Sequence, residues 1–288
     1  MLHLFNAKRL RAVPNINPRA FVNNIAKNTS KNTMTVMIRQ GIGFATLFVA
    51  LSVTFQITPS MHAAPIACTR LTAKNCAELY TCGQTISGVY TIDPDGSGAF
   101  NVYCDQTTAG GGWTVFQKRL DGSVDFNRTW SDYKRGFGNF IGELWLGLDK
   151  INRLTANKTK NMLRVDLGVE TGETVHAEYS WFGIGNEADD YRLHVGIVTN
   201  RNFLDSLGPH RGSAFGTWDS GPAYCGQERG GGWWYRSCSV SSNLNGIYSR
   251  CGNVTIGNIF WSSLGPRPRS AAITAPTSTE MKIRPVGF

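Results

Sequence analysis

Thiols, imidazoles and a cluster of large rings are the groups in this sequence with chemistry to offer. The seven cysteines are Cys68, Cys76, Cys82, Cys104, Cys225, Cys238 and Cys251, and none forms a C-x-x-C pair. A zinc site or a thioredoxin-like redox motif therefore has no support, and disulfides remain. After residue 67 the histidines are His176, His194 and His210, without G-x-S-x-G, H-E-x-x-H or P-loop motifs beside them. Common hydrolase, zinc-protease and nucleotide-binding signatures are thus missing, so we expect no enzyme here. Residues 225–246 read CGQERGGGWWYRSCSVSSNLNG, with Cys225 and Cys238 flanking three glycines, Trp233, Trp234 and Tyr235. A disulfide between the two cysteines would pin this loop and, on a loop-entropy description, contribute roughly 3 kcal/mol. The glycines let backbone pass close to bulky neighbours, and the rings would wall a concavity: the chemistry is binding.

Charge separates the sequence into two parts. Residues 1–67 hold seven cations and no acid, leaving 22 of the 29 cations to set against all 20 acids in the rest. The net charge of +9 therefore belongs to the leader, and nucleic acid is not an expected partner. Within the leader, an apolar run over residues 41–57 follows Arg39 and precedes small residues. It reads as a cleaved secretory signal, with Met34 or Met37 as an alternative start, or as an uncleaved signal anchor with a basic cytoplasmic tail. A mitochondrial targeting stretch is a third reading of the acid-free first 33 residues. Both leading readings put residues 68–288 outside the cytosol, as a secreted protein or a type II single-pass membrane protein. Asn127-Arg-Thr, Asn157-Lys-Thr and Asn253-Val-Thr are sequons available there, so a glycoprotein is expected.

The elements that must position the loop come from pattern. A short polar helix through Glu78 and Tyr80 precedes the alternating run Gly88-Val-Tyr-Thr-Ile92. Asp93-Pro-Asp-Gly96 is a turn, Pro setting one dihedral and Gly supplying the next. Residues 100–103 return as a second strand, and the hairpin's entry is tied to its exit by Cys76–Cys104. Gly110-Gly-Gly112 leads into a third strand at Trp113. Leu144, Leu148, Ile151 and Leu154 form a helical stripe over residues 144–154. Residues 162–167, 173–182 and 193–198 alternate as further strands.

The ordered blocks Ser87-Gly-Val-Tyr-Thr-Ile92, Val102-Tyr-Cys-Asp105, Gly110-Gly-Gly-Trp-Thr-Val115 and Gln117-Lys-Arg closely resemble the fibrinogen-related domain. So do Tyr133-Lys-Arg-Gly-Phe-Gly138, Gly142-Glu-Leu-Trp-Leu-Gly147, Trp233-Trp-Tyr, Asn243-Leu-Asn-Gly246 and Met281-Lys-Ile-Arg-Pro285. The resemblance covers about residues 74–288. It implies an α+β fold with a twisted antiparallel sheet, a small N-terminal subdomain and a loop-rich C-terminal part bearing ligand and calcium sites. Trp113, Trp130, Trp145 and Trp261 sit in framework blocks and are expected in the core; of Trp233 and Trp234, one is expected inward and the other at the site. His176 and His194 read as structural, and His210 as approaching the ligand loop.

In this family an aspartate-rich loop before the first cysteine of the clipped loop binds calcium through hard oxygen ligands. Here only Ser-Gly-Pro-Ala-Tyr separates Asp219 from Cys225, so Asp219 is left as the metal candidate, with turn capping as its other role. The acetyl-group pocket of ficolin- and tachylectin-like members corresponds here to Ser239, Arg229 and about Thr255, all of which depart from the family's residues. Trp234, Tyr235 and the Ser237–Cys238 peptide, which the resemblance implies is cis, are retained. The resemblance implies a non-catalytic, lectin-like recognition protein of innate defence that binds glycans or acetylated groups through the Cys225–Cys238 loop. The alternative is a protein-binding ligand for a cell-surface receptor or a matrix or clot partner, as in angiopoietin-like relatives. Cys68, beside the cleavage region, is the candidate for a disulfide-linked oligomer.

Overall fold

The run Gly88-Val-Tyr-Thr-Ile92 is a strand, as its alternation predicts, and the computed structural model shows what it joins. The residues described are 35–37, 50–52, 73–156, 160–201, 205–221, 223–238, 240–248, 258–264 and 275–288. The chain divides into two units, Met1–His62 and Ala63–Phe288. In the first, Thr35–Met37 pairs antiparallel with Ala50–Ser52. The rest of the apolar leader, Cys68, Cys251, Ser239, Thr255 and the sequons at Asn157 and Asn253 lie outside the described residues. Among those described, no helix is long and apolar enough to cross a membrane.

The second unit is built on one antiparallel sheet. Its main strands are β1 (Gly88–Ile92), β2 (Phe100–Asp105), β3 (Trp113–Arg119), β4 (Asn161–Gly168), β5 (Thr174–Ile184), β6 (Leu193–Val195), β7 (Val198–Arg201) and β8 (Ser278–Pro285). The order across the sheet is β6-β5-β4-β8-β3-β2-β1, with β7 also paired to β5. β8, the last strand, therefore lies in the middle, pairing with β4 over eight residues and with β3 on its other side. The β1–β2 hairpin turns where Asp93 Oδ1 accepts from the Gly96 N–H. Helix α1 (Cys76–Thr81), capped by the Asn75 side chain, is joined to β2 by Cys76–Cys104 with a Cα–Cα distance of 5.4 Å. These elements lie at one edge of the same sheet, so the small N-terminal subdomain implied by the resemblance is not set apart as a unit of its own. Cys82 is also disulfide-bonded.

Period-two alternation assigns the two faces of the sheet. Leu163, Val165 and Leu167 of β4 and Met281 and Ile283 of β8 are buried in the core. Helices α2 (Trp130–Arg135) and α3 (Leu148–Thr155) lie in the same core, α3 through Leu148, Ile151 and Leu154. The helical stripe expected from Leu144 begins four residues later than its spacing suggests. Leu144–Trp145 is instead a short strand on β3, because Gly147 takes a φ of +109° and packs against the Arg135 carbonyl, where a Cβ would come within 2.6 Å. Trp113, Trp145 and Trp261 are fully buried. Trp130 departs from its core expectation: it is half-buried and its indole N–H donates to Glu187. His176 is half-buried in β5, and exposed His194 stacks on Trp181 at 6.2 Å.

The opposite face of the sheet carries charge. Lys282 of β8 is buried, with Nζ 2.7 Å from Asp105, 2.8 Å from Asp166 and 2.9 Å from Glu280. Arg164 extends this network to Asp166 and Glu178, each at 2.8 Å. Burial alone would push the Asp105 carboxyl up and the Lys282 ammonium down. Attraction and hydrogen bonding to Lys282 reverse this for Asp105, and the charges of Glu280, Asp166 and Asp105 reverse it for Lys282, so Asp105 sits well below the usual carboxylate range and Lys282 above the usual ammonium range.

Asp105 therefore contributes stability that is complete above its ordinary value of 3.8 and is lost as pH falls below it. Lys282→Met leaves three carboxylates facing one another, and we expect about 3–5 kcal/mol of destabilisation in urea unfolding at pH 7. The gap to wild type should narrow in acid, as the stranded carboxylates take up protons.

Candidate functional site

The clipped loop forms as its cysteines imply. Cys225 lies in α4 (Ala223–Arg229) and is bonded to Cys238 across a Cα–Cα distance of 4.8 Å. The glycines that follow have steric reasons for being there. A Cβ on Gly231 would lie 2.1 Å from the Asn245 carbonyl oxygen, and one on Gly232 would meet the rings of Tyr133 and Phe215 at 2.8 and 2.9 Å. The loop is thus pressed into the body of the domain, not held off it.

This placement corrects the expected ring-walled hollow. Trp233–Trp234 pairs antiparallel with Phe215–Gly216, and both tryptophans have 0% exposure. Trp234 sits among Trp145, Phe182 and Phe215, and its indole N–H donates to the Tyr191 carbonyl at 3.0 Å. Tyr235 is buried too, its hydroxyl donating to the Gly231 carbonyl and accepting from Asn243 Nδ2. Burial raises its phenol well above the ordinary range. Both rings belong to the core because the glycines ahead of them remove the bulk that would keep this segment outside. The indole N–H of Trp233 is buried without an acceptor among the described residues.

His210 approaches the loop as expected, but as a brace. Its Nδ1 lies 2.8 Å from the Trp234 carbonyl, while Nε2 accepts from the Ser242 N–H at 3.1 Å. Those partners fix a neutral ring with the proton on Nδ1. Burial lowers its pKa from the ordinary 6.5, and the bond to Trp234 and the Asp205 charge offset that only in part. Ser242 Oγ, 3.3 Å from Nε2, donates to the Ser206 carbonyl at 2.8 Å. Both residues are buried, so this serine and histidine are beyond the reach of a substrate.

Asp219 is exposed and works as a cap. Its Oδ1 accepts from the Trp130 N–H at 2.8 Å and from Thr217 Oγ1 at 2.7 Å, which fastens this loop to the start of α2. Calcium takes six to eight oxygens. One carboxylate with an oxygen already taken by two donors does not fit that demand, and no group of three His, Cys, Asp or Glu converges among the described residues.

Arg229 is half-buried, its guanidinium 3.8 Å from Glu228, and its carbonyl accepts from Asn243 Nδ2 at 3.0 Å. Ser237 is exposed and Cys238 half-buried. The exposed residues of the clip are therefore Gln227, Arg236 and Ser237, and Gln227 reaches out of it to the carbonyl of Trp218, donating at 3.4 Å. Gly226 packs directly on the Thr217–Trp218 peptide, and Trp218 remains 39% exposed. Trp218 and Arg236 were not among the expected site residues. Their only signal is position, one just before and one just inside the clip.

A polar block ties the clip to the sheet. Gln117 of β3 donates to the Leu244 carbonyl at 2.9 Å, Arg119 to the Gly246 carbonyl at 2.7 Å, and Asn245 to the Gly232 carbonyl at 2.9 Å.

Comparison with known proteins agrees with this architecture. Residues 72–286 match the family described as fibrinogen beta and gamma chains, C-terminal globular domain. Angiopoietin-related protein 7 of Homo sapiens is 41% identical over 223 residues, covering 74% of this chain and 62% of that protein. Ryncolin-4 of Cerberus rynchops is 42% identical over 199 residues, covering 67% and 57%. The sequence thus spans about three fifths of the length of these curated relatives. Among solved structures, the fibrinogen-like globe domain of human ANGPTL6 superposes with a TM-score of 0.65 at 33% identity, covering 75% of this chain and 96% of that one. Lamprey fibrin D-dimer, complexed with the peptide ligand Gly-His-Arg-Pro-amide, gives 0.64 at 29% identity, covering 75% and 74%.

Since the pKa of His210 is lower in the fold than its ordinary 6.5, its neutral form contributes stability that is complete above 6.5 and is lost as pH falls below it. A His210→Gln variant should unfold at lower urea than wild type at pH 7.5, with the difference shrinking by pH 5. Replacing Cys225 and Cys238 together by serine should cost roughly 3 kcal/mol in the same assay.

Proposed function

Since the protein belongs to the family formed by the C-terminal globular domains of fibrinogen beta and gamma chains, we propose that it is an exported, non-catalytic recognition module that engages a protein partner through the outer face of the Cys225–Cys238 clip. One observation carries this reading. The rings that would have walled an acetyl-group pocket are in the core, and the exposed groups are instead the Arg236 guanidinium inside the clip and the Trp218 indole just ahead of it. Tryptophan and arginine are among the residue types that most often dominate protein interfaces. The lamprey fibrin D-dimer, which is complexed with a peptide, fits the same reading. Burial of the Ser242–His210 pair supports the absence of catalysis.

A glycan reading keeps support too, from the ryncolin-4 relative and from one surface feature. The exposed Trp218 ring offers an apolar face against which a sugar could stack.

Binding of the labelled protein to animal cells separates the two. We expect protease treatment of the cells to abolish binding, an excess of N-acetylhexosamine to leave it intact, and Trp218→Ala or Arg236→Glu to weaken it about tenfold or more without lowering the melting temperature. Full competition by the sugar would overturn the protein reading. Trp234→Ala should instead act on the core, with about 3–5 kcal/mol of destabilisation.

A further inference from the structure

We propose that Asn127 carries an N-linked oligosaccharide attached before the domain folds. Asn127-Arg-Thr129 is a sequon whose second residue is not proline. In the fold Asn127 is exposed, and its side-chain amide makes no hydrogen bond among the described residues; only its backbone N–H is engaged, by Asp125 Oδ1 at 2.8 Å. The two other sequons of the domain lie outside the described residues, so Asn127 is the acceptor whose setting is visible.

The same setting fixes the order of events. Thr129, which completes the sequon, is the N-cap of α2: its hydroxyl donates to Asp132 Oδ2 at 2.9 Å and accepts from the Asp132 N–H at 3.2 Å. The segment is clamped on both flanks. Phe126 is buried under the Arg119 guanidinium at 3.9 Å, Tyr133 donates from its hydroxyl to the Phe126 carbonyl at 2.7 Å, and the Trp130 N–H is held by Asp219. A transferase must take the sequon into its own site with the threonine hydroxyl free. Once α2 is capped, that hydroxyl is occupied, and the segment from Phe126 to Tyr133 cannot be drawn out without breaking the core.

The donor is a lipid-linked diphospho-oligosaccharide. A bond forms between Asn127 Nδ2 and C1 of the first sugar, the C1–O bond to the diphosphate breaks, and the amide proton leaves with the lipid diphosphate; nothing is oxidised or reduced. The attachment point is three residues from Trp130, whose N–H is held by Asp219 in the loop bearing Trp218.

This inference rests on export of the domain, and the test keeps the two apart. The full-length protein is expressed in animal cells, recovered from the medium, treated with peptide N-glycosidase in heavy-oxygen water and mapped by mass spectrometry. We expect Asn127 to be read as isotopically labelled aspartate, and Asn127→Gln to remove one step of the glycoform ladder while leaving the melting temperature unchanged. Thr129→Ser, which preserves both sequon and cap, should keep the glycan; Thr129→Ala should lose the glycan and also melt lower. A bare Asn127 in protein from the medium overturns the inference alone, whereas a bare Asn127 in protein confined to the cytosol overturns it together with export. For the order of events, unglycosylated full-length protein is offered to transferase-bearing microsomes. Modification only after reduction and unfolding is expected, and equal modification of the folded protein would overturn the timing.

Discussion

The position of the clip depends on a few hydrogen bonds between polar side chains and backbone carbonyls. Gln117 and Arg119, at the end of a central strand, reach the carbonyls of Leu244 and Gly246, and Asn243 and Asn245 pass the connection on to Arg229 and Gly232. Arg119 alone among these side chains is charged, and all of them are buried. Buried carbonyls without partners are costly, so a block of this kind admits only one seating of the loop. Glu143 does the same for the preceding turn, its Oε1 accepting from the N–H groups of Leu120 and Gly122 and its Oε2 from that of Val124. The disulfide shortens the loop. The polar block decides where it lies.

Electrostatics and packing divide the sheet between them. One face is closed by aliphatic side chains and two helices, while the other holds its charges in a network centred on Lys282. Such a network is weak evidence of stability gained over an apolar surface, since desolvation opposes the attraction. What it does fix is register: Lys282 meets Asp105 of β2 and Asp166 of β4 only in the observed alignment of β8 with its neighbours.

Much of this fold can be read from the residues, and the parts that cannot are instructive. The β1–β2 hairpin is legible because Asp93-Pro-Asp-Gly is a local signal, decided within four residues. The β4 and β5 strands follow from equally local patterns. The start of α3 misleads because apolar spacing is silent about Gly147, whose backbone contact with Arg135 depends on another element. Nothing local in the sequence marks Lys282 for burial, which depends on carboxylates more than a hundred residues away in the case of Asp105 and Asp166. The paired tryptophans mislead most. Large rings beside glycines suit a binding wall and a tightly inserted core segment equally well, and only the partners, Phe215, Trp145 and Tyr133, distinguish the two. Conversely, Trp218 and Arg236 carry no motif, and their exposure could not be read without the fold.

The central place of β8 has a consequence for synthesis. A nascent polypeptide presents β3 and β4 long before the residues that join them exist, since β4 ends at Gly168 and the connecting strand begins only at Ser278. Until Ser278–Pro285 has been made the sheet is in two halves with unsatisfied inner edges, exposed to chaperones and quality control. The codons for this one strand thus weigh more on the domain than their number suggests: a premature stop ahead of them removes the middle of the sheet.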